Sequence, residues 1–446
     1  MQNKQNVLCS TAFWAKIINS SFGKYFFRYF NAMIERRSPA YKTPVVKKNQ
    51  PDDNYKFIPL PAPTGPYPFH MDIDTIVDDI DPQKMVFHMA GDTGSLRNPC
   101  FTLPVAIAMT EQYDVTAAND RPRFLYHLGD VVYNHGEVTE YDRQFFIPYQ
   151  HYPGPIVAIA GNHDSDVNPH AAEPYESLAP FIKVFCAATA APVDFSQVKN
   201  RRSITQPNVY WVLHTPLATF IGLHTNVPKF GIITPEQRSW FLEQLVGAAK
   251  LRNQKMLIVC MHHAPYSADI NHGASLAMID FLEDAFDETG VRPDIVFSGH
   301  VHNYQRFLKT DADGTTVTYV VAGAGGYDEL HPVATIDNAG FTNDDERLKN
   351  VDLIKYCDDK HGFLKIAIEK KGRGLQLTGE YFSFVNERII DAATETALEF
   401  RQDVATAPWQ RLAAVPSSPT NRVVETSDYV PAGPAARFYR VVTPGD

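Results

Sequence analysis

A repeated layout runs through the middle of this sequence: five short apolar stretches each end just before Asp, Asn or His, in four cases with a glycine between. The stretches are Met85–Ala90, Phe124–Leu128, Ile156–Ala160, Met256–Met261 and Ile295–Ser298. Their length and their aliphatic and aromatic residues predict buried strands. Because strands of one sheet present their ends along a common edge, where open α/β sheets bind ligands, the polar residues after these strands are expected to lie close together.

Segments of helical period separate the strands, so the sequence predicts an α/β layered domain. The predicted helices are Phe101–Tyr113, Glu140–Tyr149, Pro235–Lys250 and Leu276–Thr289. The third has the clearest start, since Thr234 can cap it, Pro235 suits the first helical position and Gln237 can complete a capping box. Further strands are predicted at 209–214, 219–224, 316–322, 362–368 and 375–381.

The chain divides into three parts by its texture. The sequence predicts an N-terminal extension with a Pro-rich connector at residues 1–84, a central domain at residues 85–385 that contains the five strands, and a C-terminal extension at residues 386–446. Basic and aromatic residues alternate over 13–34, which suits either an amphipathic helix on a membrane surface or packing against the domain or a partner chain. No apolar run approaches the roughly 18 residues of a membrane-spanning helix, so no transmembrane segment is expected.

The net charge limits the classes of binding partner, and the cysteine content indicates the cellular compartment. With 41 Lys and Arg against 51 Asp and Glu, the formal charge is -10, which disfavours binding of nucleic acid. A small phosphorylated substrate remains compatible, because a bound cation can reverse the local sign. The five cysteines are scattered, and Lys16 and Lys24 interrupt the N-terminal apolar residues of a would-be signal peptide. Both features predict a reducing compartment, the cytoplasm. The oligomeric state is left open.

The side chains that follow the five strands are of types that bind metals. They are Asp92, Asp130, Asn162 with His163 and Asp164, His262 with His263, and His300 with His302. Carboxylate, amide and imidazole groups together suit divalent or trivalent Fe, Mn or Zn, and no cysteine joins them. Two metals held ~3.5–4 Å apart and bridged by a carboxylate can clamp the attacking and leaving oxygens of a phosphoryl group. His163, with Asp164 orienting its ring, suits protonation of the leaving oxygen.

These residues form five motifs in a fixed order. They are Gly91-Asp92-Thr93-Gly94, Gly129-Asp130-Val131-Val132-Tyr133, Gly161-Asn162-His163-Asp164, Val259-Cys260-Met261-His262 and Gly299-His300-Val301-His302. The series resembles the calcineurin-like metallophosphoesterase superfamily, most closely its purple acid phosphatase branch, over about residues 85–383. The resemblance implies two mixed β-sheets packed face to face and flanked by helices. It also implies a binuclear metal-dependent phosphoester hydrolase in which a metal-bound hydroxide attacks phosphorus. A phosphomonoesterase is the preferred interpretation; the alternatives are a phosphodiesterase or nucleotide hydrolase on the same metals, and a non-catalytic binding protein.

The resemblance also implies a role for each residue. One metal would be held by Asp92, Asp130, His302 and Tyr133, and the second by Asp130 as the bridge with Asn162, His262 and His300. His163 would assist the leaving group, with Asp164 behind it. Relatives outside the purple branch carry a histidine at the position of Gly94, so its absence makes a Tyr133 ligand more plausible. A Tyr133 phenolate would favour Fe(III).

Several assignments stay open on the sequence. Tyr133 suits packing as well as it suits metal binding. The Val-x-x-His spacing favours His262 as the ligand over His263, whereas a His-x-Pro pattern favours His263. His263, His272 and Arg306 are weaker candidates for contacting the substrate. His88 and His127 lie inside apolar strands and are interpreted as core residues.

Overall fold

The computed structural model describes residues 46–50, 53, 56–95, 101–115, 117–334, 346–372 and 374–384, and three strands near the C-terminus. The chain separates into two compact units, one formed by residues 39–384 and the other including residues 385–446. The predicted amphipathic segment at 13–34 lies outside the described residues. No helix in the described part of the chain has the length and apolar character needed to cross a membrane.

The unit of residues 39–384 is built on two mixed β-sheets. In chain order its strands are β1 (Val46–Lys47), β2 (His70–Asp72), β3 (Lys84–Ala90), β4 (Leu125–His127), β5 (Ile156–Ala158), β6 (Trp211–His214), β7 (Ala218–Gly222), β8 (Met256–Met261), β9 (Ala274–Ser275), β10 (Ile295–Ser298), β11 (Tyr304–Thr310), β12 (Thr316–Ala322), β13 (Val351–Cys357), β14 (His361–Lys371) and β15 (Gly374–Phe384). One sheet has the order β13-β11-β12-β10-β8-β7-β6-β2 and the other β15-β14-β3-β4-β5, while β1 pairs with β9. The predicted α/β class with two mixed sheets is confirmed.

Helices flank the sheets. They are α1 (Thr102–Val115), α2 (Val138–Tyr141), a π-helical turn (Asp142–Phe146), α3 (Ile147–Tyr149), α4 (Asn162–Ser165), α5 (Ala179–Phe185), α6 (Pro235–Ala249) and α7 (Leu276–Thr289), with 3-10 turns at Ile73–Thr75, Ala118–Asp120 and Glu346–Leu348. All four predicted helices are present, the second interrupted by the π-helical turn. In the second unit, β16 (Thr396–Arg401) lies between β17 (Gln410–Val415) and β18 (Phe438–Val442).

The start of α6 follows the prediction in part. The Thr234 hydroxyl accepts a hydrogen bond from the backbone N–H of Gln237 at 3.3 Å, and Pro235 occupies the first turn. The side chain of Gln237 does not complete a capping box. It bonds instead to the backbone N–H and C=O of His224, both at 2.8 Å. A buried amide group thus ties α6 to the strand edge, because satisfying two buried backbone groups outweighs capping one.

Aromatic side chains fill the space between the two sheets. The rings of Phe87 on β3 and Phe220 on β7 lie 5.4 Å apart, edge to face. Tyr126 on β4 stacks on Trp211 on β6 at 6.1 Å. All four side chains are buried, and each contributes about 1.5–3 kcal/mol by leaving water. This core fixes the sheets against each other and so fixes the relative position of their strand ends.

The five motif strands come from both sheets rather than from one. Strands β3, β4 and β5 are parallel neighbours in one sheet, and β8 and β10 are parallel neighbours in the other. The prediction of a single shared sheet edge is therefore corrected: the carboxyl ends of two separate groups of strands meet across the sandwich.

The described part of the predicted N-terminal extension belongs to the same unit as the motifs. Strand β2 adds in parallel to β6 at the edge of the larger sheet, and β1 adds to β9. The Trp240 indole N–H on α6 also donates to the carbonyl of Pro68 at 2.8 Å. The compact unit begins at residue 39, and the boundary at residue 84 stays a prediction. Such short strands carry too few residues to show a periodic pattern.

His88 is a buried core residue, as predicted, and it makes stability depend on pH. Its Nδ1 lies 3.1 Å from the Tyr152 hydroxyl and its Nε2 lies 3.0 Å from the Gln112 side-chain oxygen. Burial lowers the pKa of His88 to about 3. Below pH ~6.5 the unfolded chain therefore binds a proton on His88 that the folded chain does not bind. The part of the unfolding free energy that His88 contributes above that pH is lost as the pH falls.

We expect His88→Gln to weaken this acid sensitivity. Between pH 7.5 and 5.5 the metal-free natural chain should lose about 1.4 kcal/mol of unfolding free energy through His88, and the variant should lose that much less. Urea unfolding at the two pH values measures the difference. His170→Gln, at an exposed position, should leave the pH dependence unchanged. An identical pH dependence of His88→Gln and the natural chain would mean that the ring is charged in the folded protein.

Candidate metal centre

Tight loops after the strands bring the motif side chains together. Asp92, Asp130 and His300 have positive φ angles of 57°, 54° and 67°, so the chain turns sharply at each. The neighbouring glycines allow the loops to touch. A Cβ on Gly161 would lie 2.1 Å from a carboxylate oxygen of Asp130, and one on Gly129 (φ 95°) would lie 2.7 Å from the backbone nitrogen of Gly161. The backbone can therefore approach the ligand groups only where no side chain intervenes.

One part of the cluster combines a carboxylate, a phenol and an imidazole. The Tyr133 hydroxyl lies 3.2 Å from an oxygen of Asp92 and 3.3 Å from Nε2 of His302. That nitrogen lies 3.6 Å from the same oxygen of Asp92. The backbone N–H of His300 donates to both oxygens of Asp92 at 3.1 and 2.8 Å, which joins the loops of the two sheets. These are three of the four residues predicted to hold the first metal.

The other part of the cluster gathers the remaining predicted ligands. Nε2 of His262 lies 3.3 Å from an oxygen of Asp130 and 3.1 Å from the side-chain oxygen of Asn162. Nδ1 of His300 lies 3.0 Å from the same Asn162 oxygen. The second oxygen of Asp130 accepts the backbone N–H of His163 at 2.9 Å. The four side chains predicted for the second metal are thus in mutual contact.

Backbone carbonyls fix which ring nitrogen of His262 and of His302 faces the cluster. Nδ1 of His262 lies 2.8 Å from the carbonyl of Leu128, and Nδ1 of His302 lies 2.9 Å from the carbonyl of Glu329. A carbonyl accepts but cannot donate, so each Nδ1 carries a proton and each Nε2 turns an electron pair toward the carboxylates when the ring is neutral. Metal-binding histidines are held in this way in proteins. The donor set therefore fits two closely spaced cations.

The geometry separates His262 from His263. Both rings are buried, but the ring nitrogens of His262 contact Asp130, Asn162 and Leu128, whereas Nδ1 of His263 lies 2.7 Å from the hydroxyl of Thr225. His263 flanks the cluster, with its ring centre 4.2 Å from that of His300. The contacts favour His262 as the ligand.

A known family matches the chain over the same region. Residues 85–304 match the family described as calcineurin-like phosphoesterase. These residues form a calcineurin-like phosphoesterase domain. The chain is 26% identical over 192 residues to "Fe(3+)-Zn(2+) purple acid phosphatase 12" of Arabidopsis thaliana, an alignment that covers 39% of this chain and 37% of that protein. It is 38% identical over 72 residues to an uncharacterized protein of Mycobacterium tuberculosis, covering 16% of this chain and 13% of that one. The chain thus spans well under half of either relative.

Solved structures with a similar chain path share less sequence identity with this chain. "GAP50 the anchor in the inner membrane complex of Plasmodium" matches with a TM-score of 0.45 and 14% identity, over 68% of this chain and 85% of that chain. PhoD matches with a TM-score of 0.40 and 13% identity, over 83% of this chain and 76% of that chain.

Asp164 has a different contact in the phosphoesterase domain from the one predicted. Its carboxylate accepts the backbone N–H groups of Val131 at 2.9 Å, Val132 at 3.2 Å and Gly161 at 2.8 Å. The ring of His163 has the carbonyl of Asn134 behind it, 2.6 Å from Nδ1. The expectation that Asp164 orients His163 is therefore corrected. Asp164 joins two metal-binding loops through their backbones, and a carbonyl orients the histidine.

Replacing Asp164 is expected to reduce the stability of the phosphoesterase domain. Asp164→Ala leaves three buried N–H groups without their acceptor, which we expect to cost about 3 kcal/mol or more. Urea unfolding of the metal-free protein measures the loss. Asp166→Ala removes a partly exposed carboxylate from the same loop and should cost less than about 1 kcal/mol. Equal stability of the two variants would contradict the structural role of Asp164.

The buried carboxylates of the domain have perturbed pKa values. Burial and the neighbouring charge of Asp130 raise the pKa of Asp164 to about 7. Burial raises the pKa of Asp92 well above its usual value. Burial disfavours the charged form of His262, but the charge of Asp130 outweighs it and raises the pKa of His262 to about 9. Without metal, a protonated His262 thus neutralises Asp130. A cation there replaces that proton.

The weaker substrate candidates occupy different places. His272 lies at the cluster, with its ring centre 4.2 Å from that of His300. Arg306 is exposed on β11, and none of the contacts of the cluster involves it. The structure therefore keeps His272 beside the centre and leaves Arg306 on the surface of the sheet.

Two residues around Tyr133 were missed. Gln144, in the π-helical turn, accepts the backbone N–H of Tyr133 at 2.8 Å and donates to its carbonyl at 2.6 Å. The ring of Tyr327 lies 4.4 Å from that of Tyr133 and 4.3 Å from that of His302. Gln144 had a signal in the sequence, because it is a polar residue beside Phe145 and Phe146 on the buried side of a helix. Tyr327 sits in a loop without a periodic pattern and had none.

Proposed function

We propose that the protein is a binuclear metal-dependent phosphoester hydrolase, and specifically a phosphomonoesterase similar to purple acid phosphatases. The observation that carries the proposal is the convergence into one largely buried contact network of Asp92, Asp130, Asn162, His262, His300, His302 and Tyr133. Phosphoester hydrolysis is the chemistry for which two adjacent cations are most useful. Membership of the phosphoesterase family supports the same class.

Each residue has a proposed part in the reaction. Asp92, His302 and Tyr133 would hold one cation, Asn162, His262 and His300 would hold the other, and Asp130 would be the ligand that both share. When bound, the cations supply Lewis-acid chemistry, in that they neutralise charge on the phosphoryl oxygens and make a nearby water more acidic. His163 is partly exposed beside them, with Nδ1 bound to the Asn134 carbonyl. Nε2 of His163 is thus left to hold a proton for the departing alkoxide.

We propose Fe(III) for the cation beside Tyr133 and Zn or Mn for the other. A buried phenol close to two carboxylates is hard to ionise, and burial followed by the charges of Asp130 and Asp92 raises the pKa of Tyr133 well above its usual value. A trivalent cation is the group that stabilises the phenolate at this position. The proposal extends the Fe–Zn description of the Arabidopsis relative to this chain.

Tyr133→Phe is expected to remove the visible absorption band of the oxidised, iron-loaded protein. The band arises from charge transfer between the phenolate and Fe(III), and the variant lacks the phenolate oxygen. Absorption spectroscopy on iron-loaded protein measures it. Tyr327→Phe keeps the ring stack without changing Tyr133 and should keep the band. A band that survives in Tyr133→Phe would contradict phenolate ligation, and an active, colourless Mn enzyme would remove iron from the proposal.

Comparing two chromogenic esters tests the substrate class. The metal-loaded protein should hydrolyse p-nitrophenyl phosphate much faster than bis(p-nitrophenyl) phosphate. Cleavage of the diester alone would replace the monoesterase by a phosphodiesterase on the same residues. No turnover of either ester, by protein that retains its metals, would support a binding protein instead.

The substrate and location follow from the same proposal. We infer a small phosphorylated substrate, because the negative charge of -10 disfavours a nucleic acid and the cations attract a phosphoryl group. We infer a cytoplasmic location from the thiols: among the described cysteines, Cys186, Cys260 and Cys357 are free, and the first two are buried. Free thiols persist in reducing compartments.

A further inference from the structure

A second group of ligand-type side chains lies beside the metal centre and outside its predicted ligand set. Asp269 and His272 belong to the loop between β8 and β9, and His331 belongs to the loop after β12. One oxygen of Asp269 lies 3.5 Å from Nδ1 of His331 and 3.9 Å from Nδ1 of His272. All three ligand atoms lie within 4.8 Å of one another.

Both separations exceed the roughly 3.2 Å limit of a good hydrogen bond, so neither histidine satisfies Asp269. The 3.5 Å separation is close to that of two ligands on one cation, and the 3.9 Å separation is longer. Two ligand atoms about 2.0–2.1 Å from a tetrahedral zinc are about 3.3–3.4 Å apart. The main centre has similar spacings, 3.3 Å between His262 and Asp130 and 3.6 Å between His302 and Asp92.

One nitrogen atom of the group is free, and the other makes only a weak hydrogen bond. Nδ1 of His272 is buried and has no hydrogen-bond partner, although buried polar atoms are normally paired. Nδ1 of His331 accepts the backbone N–H of His302 at 3.3 Å. This distance is beyond the roughly 3.2 Å of a good hydrogen bond, so a cation needs to displace only a weak contact from the Nδ1 lone pair.

Hydrogen bonds hold the carboxylate in position before any cation binds. One oxygen of Asp269 accepts the hydroxyl of Ser267 at 2.9 Å and the N–H of Gly273 at 2.7 Å. The other accepts the N–H groups of Asn271 at 2.8 Å and His272 at 2.9 Å. Donors of this kind favour the charged carboxylate and fix its orientation.

His331 is also held in position. Its backbone N–H donates to the carbonyl of His302 at 3.0 Å, and the Asn303 side chain donates to the carbonyl of His331 at 2.7 Å. The ring of His331 packs against those of His302 and His272, with ring centres 4.2 and 4.7 Å away and interplanar angles of 24° and 23°. The place of the His331 ring is therefore fixed before a cation binds.

We propose that Asp269, His272 and His331 bind a further divalent cation, with Zn(II) as the expected ion. Two imidazoles and one carboxylate form a ligand set that holds such a cation and leaves positions open for water or a substrate oxygen. Because the ring of His272 is 4.2 Å from that of His300, this cation lies one histidine away from the main centre. The proposal concerns metal binding alone and does not depend on phosphoester hydrolysis.

Metal stoichiometry tests the site. The full-length protein is loaded with zinc, freed of loose metal by gel filtration and analysed by mass spectrometry of its elements. We expect three zinc ions per natural chain and two per His331→Phe chain, in which a ring keeps the stack but has no nitrogen. Asp269→Asn should also hold two. His214→Phe, which removes a histidine from β6, should hold three.

The results separate this site from the main centre. Asp130→Ala should lose zinc from the main centre and keep the ion at Asp269, so failure of one proposal is distinguishable from failure of the other. Equal zinc content in the natural chain and in folded His331→Phe would overturn the further site and leave Asp269 as a turn residue. If neither variant folds, a zinc-edge anomalous map of the natural chain decides: a peak bound to Asp269 and both Nδ1 atoms supports the site, and its absence overturns it.

Discussion

Asp130→Ala is expected to lower kcat/KM for p-nitrophenyl phosphate by about 10⁴-fold, equivalent to about 5.5 kcal/mol of the activation barrier. The expectation comes from the position of Asp130 between the two ligand groups. Its ligand oxygen lies within 4.8 Å of ligand atoms of both Asp92, from the first group, and His262, from the second. Without this carboxylate the two cations would lose their shared ligand. Kinetics and elemental analysis on the same preparations measure both losses.

A matched variant separates this effect from a general loss of charge. Asp194→Ala removes an exposed carboxylate that pairs with Lys183, and it should change neither metal content nor kcat/KM. Asp130→Asn keeps the size of the side chain but lacks the charge, and should restore little activity. Full metal content with unimpaired turnover in Asp130→Ala would contradict the bridging role.

His163→Ala is expected to lower kcat by about 10²–10⁴-fold while the metals stay bound. The ring packs on Tyr133, with ring centres 4.3 Å apart, and its Nδ1 is fixed by the Asn134 carbonyl. Because none of the ligand contacts uses the His163 ring, its removal should affect proton transfer and leave the cations in place. Steady-state kinetics with elemental analysis tests both parts.

The same loop supplies the control for His163. His170→Ala removes an exposed histidine seven positions along the chain and should leave kcat unchanged. A leaving group of low pKa needs little protonation, so the loss in His163→Ala should shrink with p-nitrophenyl phosphate and grow with an alkyl phosphate. A loss of metal in His163→Ala would mean that His163 is a ligand rather than an acid.

The sequence predicts that the candidate ligands converge, because each lies in the loop that follows a strand. A glycine precedes each of Asp92, Asp130 and Asn162 and marks the turn that follows the strand. That turn places the side chain at the end of the sheet. The choice between His262 and His263 was undecidable from the chain alone, since both follow the same strand. It depends on the Leu128 carbonyl, which is 134 positions away.

The unpredicted features all rest on contacts between distant segments. Asp164 contacts backbone amides some 33 positions away, and no side-chain pattern encodes a partner of that kind. Strand β11 was not predicted, because only Gln305 and Phe307 of its residues are buried and one of the two is polar. The site of Asp269, His272 and His331 joins two loops with no shared motif. Local patterns predict which residues end strands, and packing decides what those residues touch.

The account depends most on two cations sharing Asp130, and anomalous diffraction from crystals of the iron- and zinc-loaded protein tests that claim directly. We predict two peaks ~3.5–4 Å apart, one beside Asp92, Tyr133 and His302 and the other beside Asn162, His262 and His300, with Asp130 between them. One peak alone, or metal bound elsewhere while these side chains keep their direct contacts, would contradict the account.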